Sequence, residues 1–315
     1  MNYSKQYISE FGARTGFINS NIEKVIRLLD VLRFIGSELD QGHKKLLLKG
    51  GTAINLLYMN LPRLSVDIDL DYIGSLDKEE AVKDRTVIMD SLDGFMSREG
   101  YVVSAKSRGS TILESRTYSF TNAFGNKDNI KVEINFIDRV HIFDIDKVEA
   151  TYFEKGVVVA TPIKEELFGM KICALIDRGK PRDLYDVNNI IAMSSNLDVE
   201  KLRKSVLFYL SLDGIFDINE STFKKVEAIT LNEIKRELLP VLAKRDWFDL
   251  KEAKTKVMTW LKELLSLTDK EKQYLVRFSN GEYNPFLLFD DNVAEKILQH
   301  PMAKWRTSYI EKTTK

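Results

Sequence analysis

One stretch, LLLKGGTAINLLYMNLPRLSVDIDLDYIG from Leu46 to Gly74, constrains the fold more than any other. An apolar run reads as a short buried strand. Gly50-Gly51 breaks it, and TAINLLYM reads as a short helix. SVDIDLDY then alternates at a period of two, as a strand does when its faces meet different surroundings. One face carries Val66, Ile68, Leu70 and Tyr72. The other carries Ser65, Asp67, Asp69 and Asp71.

Side chains two apart on a strand lie about 6.5 Å apart, so two carboxylates can converge on one divalent cation, or on two. Hard oxygen ligands suit magnesium or manganese. The alternative is an ordinary charged strand face. Three like charges repel, however, and no Lys or Arg alternates with them on that face. Gly50-Gly51-Thr52 adds a second element. A glycine pair that ends a strand and opens a helix lets backbone amides approach a phosphate closely, although a plain tight turn has the same local sequence. Strand, Gly-Gly, helix and aspartate strand together suit a nucleoside triphosphate held between a turn and metal.

The rest of the chain sets the architecture. With 315 residues, 44% hydrophobic and 30% charged, it suits two globular domains. Basic and acidic residues balance at 47 each, so no global footprint for nucleic acid appears. The single cysteine, Cys173, excludes a disulfide framework and fits a reducing compartment. The first residues lack the apolar core of a secretion signal, and no apolar run approaches about 18 residues. Together these predict a cytoplasmic protein without a membrane span.

Ser20 and Glu23 predict a capping box on a helix whose apolar face is Ile22, Val25, Ile26, Leu29, Leu32, Phe34 and Ile35. Asp77 with Glu80 predicts a helix cap, the helix running to about Glu99. YVVSAKS, TILESRTYSF, NIKVEINFI and GVVVA read as strands, with GNKDN as a turn between two of them. Thr161 and Pro162 predict an N-cap and first helical residue, and the pattern beyond is almost entirely helical. The expected fold is α+β, with a mixed-sheet domain over residues 1–160 and a helical domain over 161–315.

LKGGTAINLLYMNLPRLSVDIDL resembles the first motif of the AbiEii/AbiGii-type toxins of the DNA polymerase β-like nucleotidyltransferase superfamily. The family's Gly-Gly-Ser/Thr turn, Arg, Ser/Thr and Asp-x-Asp fall on Gly50, Gly51, Thr52, Arg63, Ser65, Asp67 and Asp69. The superfamily's third carboxylate falls on Glu133 in NIKVEINFIDR, with Val132 and Ile134 facing the core and Lys131 sharing the Glu133 face. MKICALIDRGKPRDLYD matches the later motif through Lys171, Arg178, Arg182, Asp183 and Asp186. Asp71 is an additional acid where related sequences often carry a neutral residue.

The resemblance implies a metal-dependent nucleotidyltransferase that uses NTP and Mg2+ or Mn2+. Asp67, Asp69 and Glu133 would form the acidic metal site. Gly50, Gly51 and Thr52 would receive the triphosphate, with Arg63 and Ser65 in the same motif. Lys171 and Arg182 would meet or offset the phosphates, with Arg178 and Asp186 in the same nucleotide-binding motif; Asp183 or Asp186 would either be catalytic or pin Arg182. It further implies the toxin of a toxin–antitoxin or phage-defence pair, a cognate antitoxin or repressor, and a tRNA 3′ end as acceptor, with protein hydroxyls as the other acceptor class. A salt-bridged helix junction is the plain alternative for the Lys171 cluster.

Two further functions compete. A metal-dependent nuclease would use the same acids, but its Glu-x-Lys arrangement is missing where VEINF stands. A nucleotide-binding scaffold need not keep the Gly-Gly-Thr turn, the Asp-x-Asp and the lysine together. His43, His141 and His300 match no zinc spacing. Tyr118, Phe120, Phe136 and Trp260 read as core. The charged stretch KKVEAITLNEIKRELLPVLAKRD, and Lys201, Arg203 and Lys204, read as solvated helix faces, with an RNA backbone as their alternative partner.

Overall fold

The computed structural model describes residues 2–39 and 45–313. His43 lies outside the described residues. The chain forms two compact units. The first comprises Met1–Arg139, Ile145–Thr161 and Leu239–Asp246; the second comprises Val140–Asp144, Pro162–Leu238 and Trp247–Lys315. The exchanged segments Val140–Asp144 and Leu239–Asp246 depart from a single cut near residue 160.

The first unit opens with helices α1 (Lys5–Thr15) and α2 (Asn19–Phe34), followed by strand β1 (Leu46–Lys49), helix α3 (Gly50–Ala53), strand β2 (Asp67–Tyr72) and helix α4 (Lys78–Arg98). Strands β3 (Val102–Val103), β4 (Arg108–Gly109), β5 (Leu113–Thr121) and β6 (Lys127–Asn135) complete one sheet. Its order is β1-β2-β6-β5-β3, with β4 also on β5; β2 and β6 run parallel and the other pairs antiparallel. Strands β7 (Ile145–Tyr152) and β8 (Lys155–Pro162) pair separately. The mixed sheet and the helical remainder agree with the expected α+β fold.

The apolar face predicted for α2 is buried throughout, as is Ile35 just beyond the helix, and Leu28 and Val31 join it. The capping box is absent. The helix begins at Asn19 behind Ile18, which makes no side-chain cap. Glu23 is instead fully buried: Arg27 donates to it at 2.7 and 2.9 Å, and the Ala123 amide at 2.8 Å. A carboxylate this deep needs such partners more than a helix end needs a cap. Asp77 does cap α4, accepting from the Glu79 and Glu80 amides. The β5–β6 turn lies earlier than GNKDN. Asn122 Oδ1 accepts from the amides of Phe124 and Asn126, and Gly125 takes a positive φ of 85°, so Lys127–Asn129 already belong to β6. Tyr118, Phe120 and Phe136 are buried; Trp260 is only half-buried.

The second unit is helical: α5 (Lys164–Arg178), α6 (Pro181–Ala192), α7 (Val199–Leu212), α8 (Lys224–Glu227), α9 (Leu231–Glu233), α10 (Leu250–Leu264), α11 (Asp269–Ser279), α12 (Asp291–Ile297) and α13 (Pro301–Thr313). Thr161 does not cap α5. Thr161 and Pro162 finish β8, and Ile163 precedes the helix without a side-chain cap. What fixes this end is Glu166. It accepts from the Ile142 and Phe143 amides at 2.9 Å each and from Tyr209 Oη at 2.6 Å, with His141 Nδ1 at 2.9 Å. Burial alone would raise the Glu166 pKa, but His141 and these donors outweigh it and lower it. The segment Val140–Asp144 is thereby anchored within this unit. Among the described residues, no helix is long and apolar enough to cross a membrane.

Candidate active site

The motif loop of the first unit is held together by contacts that only its own residue types permit. Gly50 has φ +70°, a conformation that side chains rarely adopt, and a Cβ there would lie 2.4 Å from Asp69 Oδ2. A Cβ on Gly51 would lie 2.7 Å from Arg63 Nη2 and 3.1 Å from Ser65 Oγ. Thr52 Oγ1 donates to the Asp67 carbonyl at 2.5 Å, and Asn55 Nδ2 to the Gly51 carbonyl at 2.9 Å. Arg63 is buried and donates to the Leu64 carbonyl at 3.1 Å. From far along the chain, the Val241 carbonyl accepts from the Leu64 amide at 2.9 Å. The seven first-motif residues named from the sequence therefore form one packed group.

The register brings Glu133 to it. On the parallel strands β2 and β6, Asp67 is opposite Lys131 and Asp69 opposite Glu133. Val132 and Ile134 are buried behind them. Lys131 Nζ lies 2.7 Å from Glu133 Oε2. Burial works against the Lys131 charge, but Glu133, Asp67 and Asp69 outweigh it and raise its pKa. Among the described residues, no three His, Cys, Asp or Glu side chains form a group that could hold a metal ion.

Asp71 departs from its two neighbours. It is fully buried, and Lys49 Nζ lies 2.5 Å from its Oδ1, with Asp138 Oδ2 at 3.9 Å from the same nitrogen. Burial opposes the Lys49 charge, yet Asp71 and Asp138 raise its pKa. The expectation that no cation answers the three aspartates holds only within β2. Lys49 from β1 and Lys131 from β6 supply the charge across the sheet. Register is what the sequence of one strand could not display.

Lys171, Asp183, Asp186 and Arg178 also meet, in the second unit. Lys171 Nζ lies 2.8 Å from Asp183 Oδ1 and 3.1 Å from Asp186 Oδ2. Arg178 donates to both Asp183 oxygens, at 2.6 and 2.9 Å. Burial would raise the Asp183 pKa, but Lys171 and Arg178 hold it well below the usual carboxylate range. The Arg182 guanidinium donates to the Glu237 carbonyl at 2.7 Å. Lys171 is thus a buried member of an ion network, while 55% of the Arg178 side chain is exposed.

A model of the nucleotidyl transferase AbiEii toxin family, a type IV toxin–antitoxin system, matches residues 33–260. The chain belongs to the AbiEii nucleotidyltransferase toxin family. It is an NTP-dependent nucleotidyltransferase and the toxin of a type IV toxin–antitoxin system. A search of curated proteins finds no match. Among solved structures, the AbiEii-family chain is similar in fold to MenT4, a nucleotidyltransferase toxin of Mycobacterium tuberculosis H37Rv. The two share 15% identity over 98% of this chain and 99% of that one, with a TM-score of 0.64.

Other sequence candidates found ordinary partners. Lys204 pairs with Glu200 at 2.6 Å, Arg203 with Glu271 at 2.8 Å, and Lys201 stands over the Phe143 ring. His141 serves Glu166, and His300 is buried edge-on to Phe208. The residues missed in advance are Lys49, Asn55 and Asp138. Lys49 and Asn55 flank the glycine turn, but only the cross-strand pairing and the helix path reveal what they hold.

Proposed function

We propose that the chain transfers a nucleoside monophosphate from an NTP to the 3′ end of a tRNA in the cytoplasm, with magnesium or manganese, as part of a phage-defence pair whose cognate antitoxin or repressor restrains it. The observation that carries the reading is the close fit of Gly50 beneath Asp69, with Glu133 opposite in register. Asp67 and Asp69 offer hard, half-buried oxygens, a donor pair that fits Mg2+, which is commonly held by one or two carboxylates plus substrate phosphates.

Asp67 and Asp69 would hold the ion, and it would supply charge stabilisation at the phosphates. The bare backbone at Gly50 and Gly51, with Thr52 behind it, receives the triphosphate. Arg63 and Ser65 pack on Gly51 and fix its path. The acceptor hydroxyl attacks the α-phosphorus; the new O–P bond replaces the bond to pyrophosphate, which leaves. Glu133 takes the hydroxyl proton. In the second unit, Lys171 and Arg178 hold Asp183, and Lys171 also holds Asp186; the match of these residues and Arg182 to the family motif supports a role in offsetting phosphate charge.

Incubation of the protein with each α-phosphate-labelled NTP, magnesium and either total tRNA or total protein tests the reading. Label on intact tRNA is the expected result. Label on protein alone replaces the acceptor, and cleaved RNA without label replaces the reaction.

A further inference from the structure

We infer that Lys131 is a displaceable counterion that a divalent cation must draw away from Glu133, so that this lysine sets how tightly the acidic face takes metal. The inference rests on the metal assignment proposed above.

Two lysines answer the acids of β2, and they differ in kind. Lys49 is a permanent partner: its side chain is 18% exposed, and Asp71, its partner at 2.5 Å, is wholly buried. Lys131 is 39% exposed and Glu133 26% exposed, so their contact lies where water and ions reach it. The register places Lys131 opposite Asp67 and Glu133 opposite Asp69. Alternation along β6 puts Lys131 and Glu133 on one face. The Lys131 ammonium therefore faces three carboxylates, and all three act to hold its charge; Lys49, opposite Asp69 on β1, also feels Asp69 but stays on Asp71.

The consequence is a competition. While Lys131 holds Glu133, the ammonium relieves repulsion among Asp67, Asp69 and Glu133. A dication arriving at Asp67 and Asp69 brings two positive charges close to that ammonium, which repels them. The long lysine stem and its exposure let it swing into solvent, releasing the Glu133 carboxylate. Exposed ion pairs of this type contribute little net stability, so exchange is cheap. A single positive charge several ångströms from a dication, in partly solvated surroundings, weakens binding by roughly three- to tenfold.

The test is calorimetric binding of Mn2+ and Mg2+ alone, without nucleotide, to the full chain and its Lys131→Met and Lys131→Arg variants. Melting in chelator is followed in parallel. Lys131→Met is expected to bind either metal about three- to tenfold more tightly, to melt lower than wild type in chelator, and to recover when metal is added. Lys131→Arg, which keeps the charge, is expected to bind within about twofold of wild type. Should Lys131→Met fail to fold, Lys131→Gln is read in the same way. Equal or weaker metal binding by the neutral variant overturns the role of Lys131 and leaves the metal site standing. No metal binding by wild type, either alone or with an NTP present, overturns both.

Discussion

Gly50 lies so close beneath Asp69 that a single added carbon would come within 2.4 Å of its Oδ2. The sequence link between the glycine turn and the aspartate strand is therefore a physical contact. Gly50→Ala combines this clash with a left-handed backbone that costs an L-residue about 1–2 kcal/mol. The expected outcome is a stability loss of about 2 kcal/mol in urea titration and at least a tenfold fall in nucleotidyl transfer. Wild-type values in both would show that the turn does not depend on this approach.

Lys49→Met removes the ammonium that Asp71 faces in the core of the sheet. Breaking a buried pair from one side costs about 3–5 kcal/mol, whereas replacing both members by apolar groups is often near neutral. Urea denaturation should therefore show a large loss for Lys49→Met and a much smaller one for Lys49→Met/Asp71→Leu. Equal losses would mean that Lys49 acts through packing of its stem.

The Asp183 carboxyl is depressed by Lys171 and Arg178 despite its burial. A depressed folded-state pKa gives stability that is fully present above the unfolded value, about 3.9, and is lost as pH falls towards the folded one. Melting temperature should thus fall steeply below about pH 4 in wild type and less steeply in Asp183→Asn. Glu166, also depressed, contributes to the same acid limb in both proteins. Identical acid slopes would contradict the Asp183 assignment. Lys171→Ala should also destabilise by about 3 kcal/mol, well beyond a surface lysine.

Much of this was legible in the sequence, for identifiable reasons. Period-two alternation gave away β2 and the burial of Ile68 and Leu70, and the helical period gave the buried face of α2. The motif residues Gly50 to Asp69 lie within one local strand–turn–helix–strand unit, so local sequence determines their packing. What stayed hidden depends on pairing at a distance. Lys49 reaches Asp71 only through an antiparallel register, and Lys131 reaches its acids only through a parallel one. Val241 supports Leu64 from nearly two hundred residues downstream, which no local pattern records. Ser20 and Thr161 looked like caps because hydroxyl residues favour that role. Tertiary demands moved both helix starts: the fully buried Glu23 needed Arg27, and β8 ran on through Pro162.

The proposed role of Asp67 and Asp69 as the metal-holding pair of nucleotidyl transfer can be tested at the two carboxylates themselves. Its most direct measurement is the rate of label transfer from an α-phosphate-labelled NTP, with magnesium, by wild type, Asp67→Asn and Asp69→Asn, each confirmed as folded by circular dichroism. The amides keep the shape and remove the charge. Transfer is expected to fall by at least about a thousandfold in each variant, equivalent to about 4 kcal/mol of transition-state stabilisation. Near-wild-type transfer by either variant would contradict that role and leave the aspartates as an ordinary charged strand face.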